Sequence, residues 1–186
     1  MKLIILILAA LAMTAQAQSD FKAVPGMEDL QEGGRLEKLT VVTGNLMFNV
    51  RPPRGWSRLI DEAGHKIVFT SQSGQSAITV LFTGNSPGVL PDDDALEQQV
   101  LRAHPGASIV QTSVCPTSYK PGKFFDLTSI PTPHVVQKIR HAYVSQPAGE
   151  VEYILSASEA EFDKDQYIIM GMVRAFRVEP AKAKAP

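Results

Sequence analysis

Four histidines and one cysteine are the side chains of this chain that are best suited to chemistry. They are His65, His104, His134, His141 and Cys115. A zinc site needs three or four converging ligands, and the spacing shows neither an H-E-x-x-H nor an H-x-H pair. We therefore expect structural or surface roles for the histidines. The alternative is an enzyme with a dispersed site, which would need a histidine or the cysteine in a cleft with a perturbed pKa.

Cys115 follows an apolar stretch and precedes Pro116. Reactive cysteines need an accessible, electropositive setting, so we predict a buried or half-buried, inert thiol. A lone cysteine excludes an intramolecular disulfide, and an intermolecular one stays open as a minor alternative.

Two further polar clusters have structural explanations. Asp92-Asp93-Asp94 lacks the spacing and distal glutamate of an EF-hand, whereas it suits the start of a helix with Asp92 as the N-cap. The segment 71–76 contains no G-x-S-x-G elbow and is typical of a hairpin loop. No phosphate-binding or dinucleotide fingerprint is present. The sequence therefore predicts no catalytic site, no metal and no cofactor.

The first seventeen residues have the order of a secretory signal peptide. Lys2 gives a positive start, residues 3–13 are apolar, and Ala15-Gln16-Ala17 is a small-x-small cleavage site. The apolar run of about eleven residues is too short to span a bilayer. We expect cleavage between Ala17 and Gln18 and export without an integral membrane segment. The location would be periplasmic in a Gram-negative cell and extracellular otherwise.

Composition and charge describe an ordinary globular protein. Hydrophobic residues make up 44% of the chain, charged residues 20%, and the formal net charge is −1. A disordered chain would be poorer in apolar residues and more strongly charged. Without a basic excess, nothing attracts nucleic acid through bulk charge, and export makes such a partner still less suitable.

Residues 41–178 form the expected single domain. Residues 18–40 are polar and contain Pro25-Gly26 and Gly33-Gly34, so we expect a loosely held N-terminal arm with a short helical turn around Met27–Gln31. Residues 179–186 have no apolar pattern and are expected to be disordered.

Alternating apolar residues predict eight strands, and two stretches of helical period interrupt and close the series. The strands are 46–50, 56–60, 66–70, 77–82, 108–114, 123–128, 135–145 and 151–157. One helix runs from Asp92 to about Ala103, and the second spans 163–176 with Ile169, Met172, Val173 and Phe176 on its apolar stripe. Hairpin connections dominate, which indicates an α+β fold. Its largely antiparallel sheet has about six to eight strands, with two main helices packed on it.

Two residues in these elements carry specific expectations. Gly171 lies mid-helix at a cost of about 1 kcal/mol relative to alanine, which a close helix–sheet contact would explain. Trp56 is expected to anchor the core.

The segment Phe48-Asn49-Val50-Arg51-Pro52-Pro53-Arg54-Gly55-Trp56 resembles the F-x-V-x-x-P-x-G-W opening of PsbP-like and DcrB-like domains. The closing hairpin and the helix that ends in Phe176-Arg177-Val178 resemble the end of those domains. The resemblance spans about 46–178 and implies an α/β/α arrangement on an antiparallel sheet. It also implies an interaction or assembly protein, since most members are not enzymes, and it brings no shared set of functional residues.

The polar face of the long hairpin is the expected partner-binding surface. Lys138 and Arg140 lie on one face of the predicted strand, with Glu150 or Glu152 as cross-strand partners. The simpler interpretation is a solvated face whose ion pairs contribute little. The leading hypothesis is an exported, non-catalytic interaction or assembly factor with an envelope protein as partner. The alternative is a periplasmic small-ligand-binding protein with a pocket between the sheet and the arm.

Overall fold

The structure, a computed structural model, describes residues 21–43, 46–84, 89–117, 119–146 and 149–180. The predicted signal peptide and its cleavage site at Ala17 and Gln18 lie outside the described residues. The same holds for residues 147–148 and for residues 181–186, which belong to the expected disordered tail.

Within these ranges the chain forms eleven strands and two helices in an order that begins and ends with a strand. The elements are β1 (Lys22–Asp29), β2 (Arg35–Thr43), β3 (Leu46–Val50), β4 (Ser57–Asp61), β5 (Lys66–Thr70), β6 (Ser76–Gly84), α1 (Asp93–Ala103), β7 (Ser108–Cys115), β8 (Gly122–Thr132), β9 (Val135–Gln146), β10 (Gly149–Ser158), α2 (Glu159–Ala175) and β11 (Arg177–Pro180). All eight strands predicted from alternation are present.

The strands form two antiparallel sheets. The central sheet has seven strands in the order β4-β5-β6-β10-β9-β8-β7, and the smaller sheet has four in the order β1-β2-β3-β11. The predicted α+β class and antiparallel sheet are confirmed, and the central sheet falls within the predicted six to eight strands. The second sheet is an addition to the prediction.

The two faces of the central sheet carry separate apolar cores. On one face, α1 packs through Leu96 and Val100 against Phe125, Leu127 and Ile139. On the other face, α2 and the four-stranded sheet share a larger core, to which β2, β3, β6 and β10 contribute buried side chains. The layers are therefore a helix, the central sheet, and a mixed layer of helix and small sheet.

The predicted N-cap of α1 is confirmed. Asp92 Oδ1 accepts a hydrogen bond from the backbone N–H of Ala95 at 2.8 Å, which satisfies one of the free donors of the first turn. Asp93 and Asp94 lie in that turn, where the helix dipole favours negative charge. Lys123 Nζ contacts Asp93 Oδ2 at 2.6 Å and ties the helix start to β8.

The second helix begins at Glu159, earlier than predicted, and its predicted apolar stripe is buried. Phe176 follows the helix and packs on Phe48, with ring centroids 5.6 Å apart, and against Tyr153 at 6.0 Å. The expected close contact at Gly171 is wrong, because a Cβ built there meets no atom within 4 Å.

The expected N-terminal arm is instead a β-hairpin, and the helical turn at Met27–Gln31 is wrong. β1 pairs with β2 along its whole length, and β2 pairs with β3. Leu39 and Phe21 are buried, so the domain begins at about residue 21 rather than 41. The alternation was weak because the far half of the hairpin covers no core. Its turn uses Gly33 and Gly34 at φ of +86° and +98°, which glycine adopts without strain.

The C-terminal boundary of the domain also differs from the prediction. After α2 the chain returns to the small sheet, where Val178 of β11 pairs with Phe48 of β3. The strand includes residues 179 and 180, which were expected to belong to a disordered tail. The reason is the edge of β3, whose backbone groups β11 satisfies.

No helix in the described part of the chain is long and apolar enough to cross a membrane.

Candidate interaction surface

Arg140 belongs to a buried ion pair and not to an open basic strip. Its Nε and Nη2 donate to Asp126 Oδ1 and Oδ2, both at 2.6 Å, and each side chain is 11% exposed. The guanidinium also lies over the rings of Phe124 and Phe162, at 5.1 and 5.6 Å from their centroids. A bidentate, aromatic-flanked arginine of this kind fixes the packing of β8, β9 and α2.

Lys138 is tied down on the same face of β9. Its Nζ donates to Thr128 Oγ1 at 3.1 Å and lies 3.8 Å from Glu159 Oε1 at the start of α2. Both residues of the predicted partner-binding face are therefore engaged within the protein.

The predicted cross-strand partners Glu150 and Glu152 are wrong. In the β9–β10 register Leu155 lies opposite Arg140, whereas Glu152 lies opposite Tyr143. Directly paired residues share a face, so the glutamates belong to the other side of the sheet, toward α1. The sequence alone does not determine which face of the sheet the glutamates occupy, because this depends on the register of β9 and β10. A shift of the register by one residue moves every side chain to the opposite face.

Two histidines and a glutamate that are distant in sequence meet under α1. His141 is buried, its Nδ1 lies 2.5 Å from Glu152 Oε1, and its Nε2 lies 2.7 Å from His104 Nε2. Burial, and next the charge of His141, lower the pKa of His104. Burial, and next the charge of Glu152, raise the pKa of Tyr143. No group of three such side chains in the described ranges is arranged to hold a metal ion. The contacts of His104, His141 and Glu152 form a hydrogen-bonded network.

The other two histidines occupy turns. His65 and His134 adopt positive φ of 49° and 70°, next to β5 and β9 respectively. His65 also stacks on Phe21 with ring centroids 5.3 Å apart. These are structural positions.

Cys115 is fully buried at the end of β7. Burial raises the pKa of its thiol to about 12, although Arg140 and Arg174 act in the opposite direction. The predicted buried thiol is confirmed, and at neutral pH it carries no nucleophilic thiolate.

The N-terminal segment differs most from the prediction, because it forms a hairpin with exposed apolar side chains. β1 is the outermost strand of the small sheet among the described residues. Val24, Met27, Leu30 and Leu36 are 39–48% exposed, and they lie in β1, in the turn and in β2. We call the segment 22–38, with these side chains, the hairpin edge. Val24 and Leu36 lie on one face of the hairpin, Met27 lies on the other, and Leu30 lies in the turn. An edge strand with exposed apolar side chains on both faces offers a place where another chain can pack.

Ion pairs hold the hairpin edge in place. Arg51 donates from Nε and Nη2 to the carboxylate of Glu28 at 3.1 and 3.0 Å, which joins β1 to the loop after β3. Arg58 of β4 pairs with Glu37 of β2 and bridges the two sheets. Both contacts join the hairpin edge to neighbouring elements of the domain.

Pro25 limits how the hairpin edge can be used. A proline in an edge strand removes one backbone donor and discourages pairing with a further strand. The surface is therefore suited to contacts through side chains more than to addition of a full strand.

A cleft lies between the hairpin and the loop that contains the F-x-V-x-x-P-x-G-W segment. It has a volume of about 440 Å³ and is lined by residues 35–37 and 51–56. The small-ligand-binding alternative predicted a pocket between the sheet and the N-terminal segment, and this cleft lies beside that segment. Trp56 lines it, packs against the core and is half-buried, so it is an anchor with one accessible side.

Comparison with known proteins identifies the fold class. No family model matches the chain, and no curated protein matches it. The fold is PsbP-like: the chain is similar to the solution structure of cyanobacterial PsbP (CyanoP) from Synechocystis sp. PCC 6803. That match has a TM-score of 0.54 and 12% identity, and it covers 85% of this chain and 94% of that one.

A second match is the crystal structure of the Saccharomyces cerevisiae Ran-binding protein Mog1p. Its TM-score is 0.48 at 10% identity, over 84% of this chain and 96% of that one. The PsbP part of the sequence resemblance is confirmed for the fold, and the DcrB part stays a prediction. At such identity the likeness defines the fold alone.

Proposed function

We propose that this chain is exported and acts as a non-enzymatic interaction or assembly factor of the cell envelope, binding a partner protein through the hairpin edge. The single observation that carries this proposal is the edge hairpin of β1 and β2, which exposes Val24, Met27, Leu30 and Leu36. The signal-like first seventeen residues support export. The inert thiol and the buried histidine network give no support to a catalytic alternative.

The chemistry of the hairpin edge describes its partner. Val24 and Leu36 share one face of the hairpin with the charged residues Lys22, Glu28 and Lys38. Apolar side chains interspersed with charged ones are typical of a non-obligate protein interface. The partner should therefore present apolar side chains together with complementary charges.

In-cell photocrosslinking tests this proposal. A photoreactive amino acid replaces Leu36 in one tagged protein and Leu59 in another, and crosslinked envelope proteins are identified in each. Leu59 is the matched control because it is an exposed leucine on β4, the edge strand of the other sheet. We expect one dominant partner from position 36 and none from position 59.

A charge substitution supplies the second arm. Leu36→Asp should abolish co-purification of that partner, whereas Leu59→Asp should retain it, with both variants keeping the wild-type melting temperature within a few degrees. Equal crosslinking at the two positions, or an unaffected Leu36→Asp complex, would count against the hairpin edge.

Export has its own test. Ala17→Arg should block processing, because signal cleavage needs a small residue at this position. The expected results are a larger precursor for this variant and a mature N-terminus at Gln18 for the wild type. A wild-type protein that keeps residues 1–17 in the cytoplasm would contradict the proposal.

Small-ligand binding is the second candidate function. The clefts on either side of Trp56 favour it, since their volumes of about 440 and 590 Å³ fall in the range of ligand sites.

A further inference from the structure

Asp165 is a carboxylate in a place where the helix pattern calls for an apolar side chain. The buried stripe of α2 consists of Phe162, Asp165, Ile169, Met172 and Val173. Asp165 is 2% exposed, and its Oδ2 has no hydrogen-bond partner within the protein. A buried carboxyl oxygen without a hydrogen-bond partner is costly, and a bound hydrogen-bond donor would remove that cost.

Asp165 also lines the larger of the two clefts beside Trp56. This cleft has a volume of about 590 Å³ and lies between the loop 54–56, the turn 71–73 and the first half of α2. Most lining residues are exposed or half-buried, and Asp165 is the buried one among them. It therefore forms the floor of the cleft, with the open rim above it.

Neither of the two cations that line the cleft, Arg54 and Lys164, forms an ion pair with Asp165. Lys164 Nζ lies 3.2 Å from Glu161 Oε2, so the ammonium on the rim is already paired with a glutamate of the same helix. Arg54 lies on the exposed rim. Trp56 supplies an aromatic wall, on which a flat cation stacks favourably.

We propose that this cleft binds a small organic cation, a guanidinium or primary ammonium compound, whose N–H groups donate to Asp165 while its apolar part rests against Trp56. The positive charge of the ligand pairs with the carboxylate, and its N–H groups donate hydrogen bonds to the oxygen that has no partner. A cation without N–H groups would supply the charge but no hydrogen bond. This binding is independent of the hairpin edge, which lies on β1 and β2.

Tryptophan fluorescence gives a direct measurement, because Trp56 is the only tryptophan in the chain. The purified protein is titrated at constant ionic strength with agmatine, with putrescine and with tetramethylammonium, all as chlorides. We expect saturable changes with agmatine or putrescine and none with tetramethylammonium. Agmatine carries a guanidinium and a primary ammonium, whereas putrescine carries ammonium groups alone. A response to agmatine without one to putrescine would therefore indicate a guanidinium ligand, and equal responses would indicate that an ammonium group suffices.

Asp165→Asn is the decisive variant, and Asp163→Asn is its matched control. Both make the same change on the same helix, but Asp163 is exposed and does not line the cleft. The loss of a charged hydrogen bond should weaken binding about tenfold or more in Asp165→Asn and leave it unchanged in Asp163→Asn.

Three results would each overturn the proposal. One is an equal response to tetramethylammonium, which would indicate a nonspecific cation effect on Trp56. The second is undiminished agmatine and putrescine binding by folded Asp165→Asn, and the third is the absence of any saturable response in the wild type. A thermal melt of each variant establishes that it is folded.

Discussion

The Nε2 atoms of His104 and His141 lie 2.7 Å apart, which makes the two imidazoles hydrogen-bond partners between the end of α1 and β9. One ring has to donate and the other to accept, so the two facing nitrogens cannot both carry a proton. His141 is held from its other side by Glu152. The last turn of α1 is thus fixed to the central sheet by a network whose geometry depends on protonation.

Acidification should lower the free energy of unfolding in the range just below pH 6.5. Burial and the neighbouring His141 lower the pKa of His104 below its ordinary 6.5, although Glu152 acts in the opposite direction. The unfolded chain therefore binds a proton more readily than the native chain, so stability is complete above 6.5 and declines below it. In urea unfolding between pH 7 and pH 5, His104→Gln should show a shallower decline than the wild type.

His134→Asn is the control for this experiment. His134 is exposed in the turn between β8 and β9, and asparagine tolerates its positive φ. Its decline should match that of the wild type. If the free energy of unfolding of His104→Gln fell with pH as steeply as that of the wild type, groups other than His104 would cause the pH dependence.

Asp126→Ala should destabilise the protein by about 3 kcal/mol, because it leaves the guanidinium of Arg140 buried and unpaired. Asp29→Ala breaks the exposed pair with Arg35 and should cost less than about 0.5 kcal/mol. Chemical denaturation measures both. The double variant Asp126→Leu with Arg140→Met should recover much of the loss, and a double variant as unstable as Asp126→Ala would contradict this explanation.

The sequence predicted the central sheet well because its strands are long and alternate strictly. In β10, for example, Val151, Tyr153 and Leu155 are all buried, as their spacing requires. The helix start at Asp92 was predictable for a similar reason, since a cap is a local feature.

The candidate site was harder to predict because it depends on register and on unpaired surfaces. Lys138 and Arg140 have the pattern of an exposed strip, yet α2 and β8 supply partners that no local pattern reveals. The hairpin edge lacks a buried face, so its alternation is faint. One signal was available: Asp165 continues the spacing of Ile169 and Met172 toward the start of the helix, and a charged residue on a buried stripe is unusual.

Asp165→Leu should stabilise the protein in the absence of any ligand. The substitution removes a buried oxygen that has no partner and extends the apolar stripe of α2, which should raise the free energy of unfolding by about 1–3 kcal/mol. Thermal and urea unfolding measure the change. Asp163→Leu, on the exposed side of the same helix, should change stability by less than about 0.5 kcal/mol. A destabilised Asp165→Leu would mean that the carboxylate has a compensating interaction.

Two glycines should respond in opposite ways to the same substitution. Gly171 lies on the exposed side of α2, where a Cβ meets no atom within 4 Å. Gly171→Ala should therefore stabilise the protein by about 1 kcal/mol, because alanine has the higher helix propensity. Urea unfolding provides the measurement, and a loss of stability would indicate a contact that α2 makes on that side.

Gly122 in β8 is the opposite case. A Cβ at this position would overlap the backbone carbonyl oxygen of Tyr143 and lie 3.4 Å from Cys115 Cβ. The carbonyl belongs to β9, which is held on both sides by ladder pairing, so it cannot move without breaking hydrogen bonds of the central sheet. Gly122→Ala should cost about 2 kcal/mol or more in the same assay. A gain in stability for Gly122→Ala would refute the close approach of β8 and β9 at this point, because that approach is the reason for the expected loss.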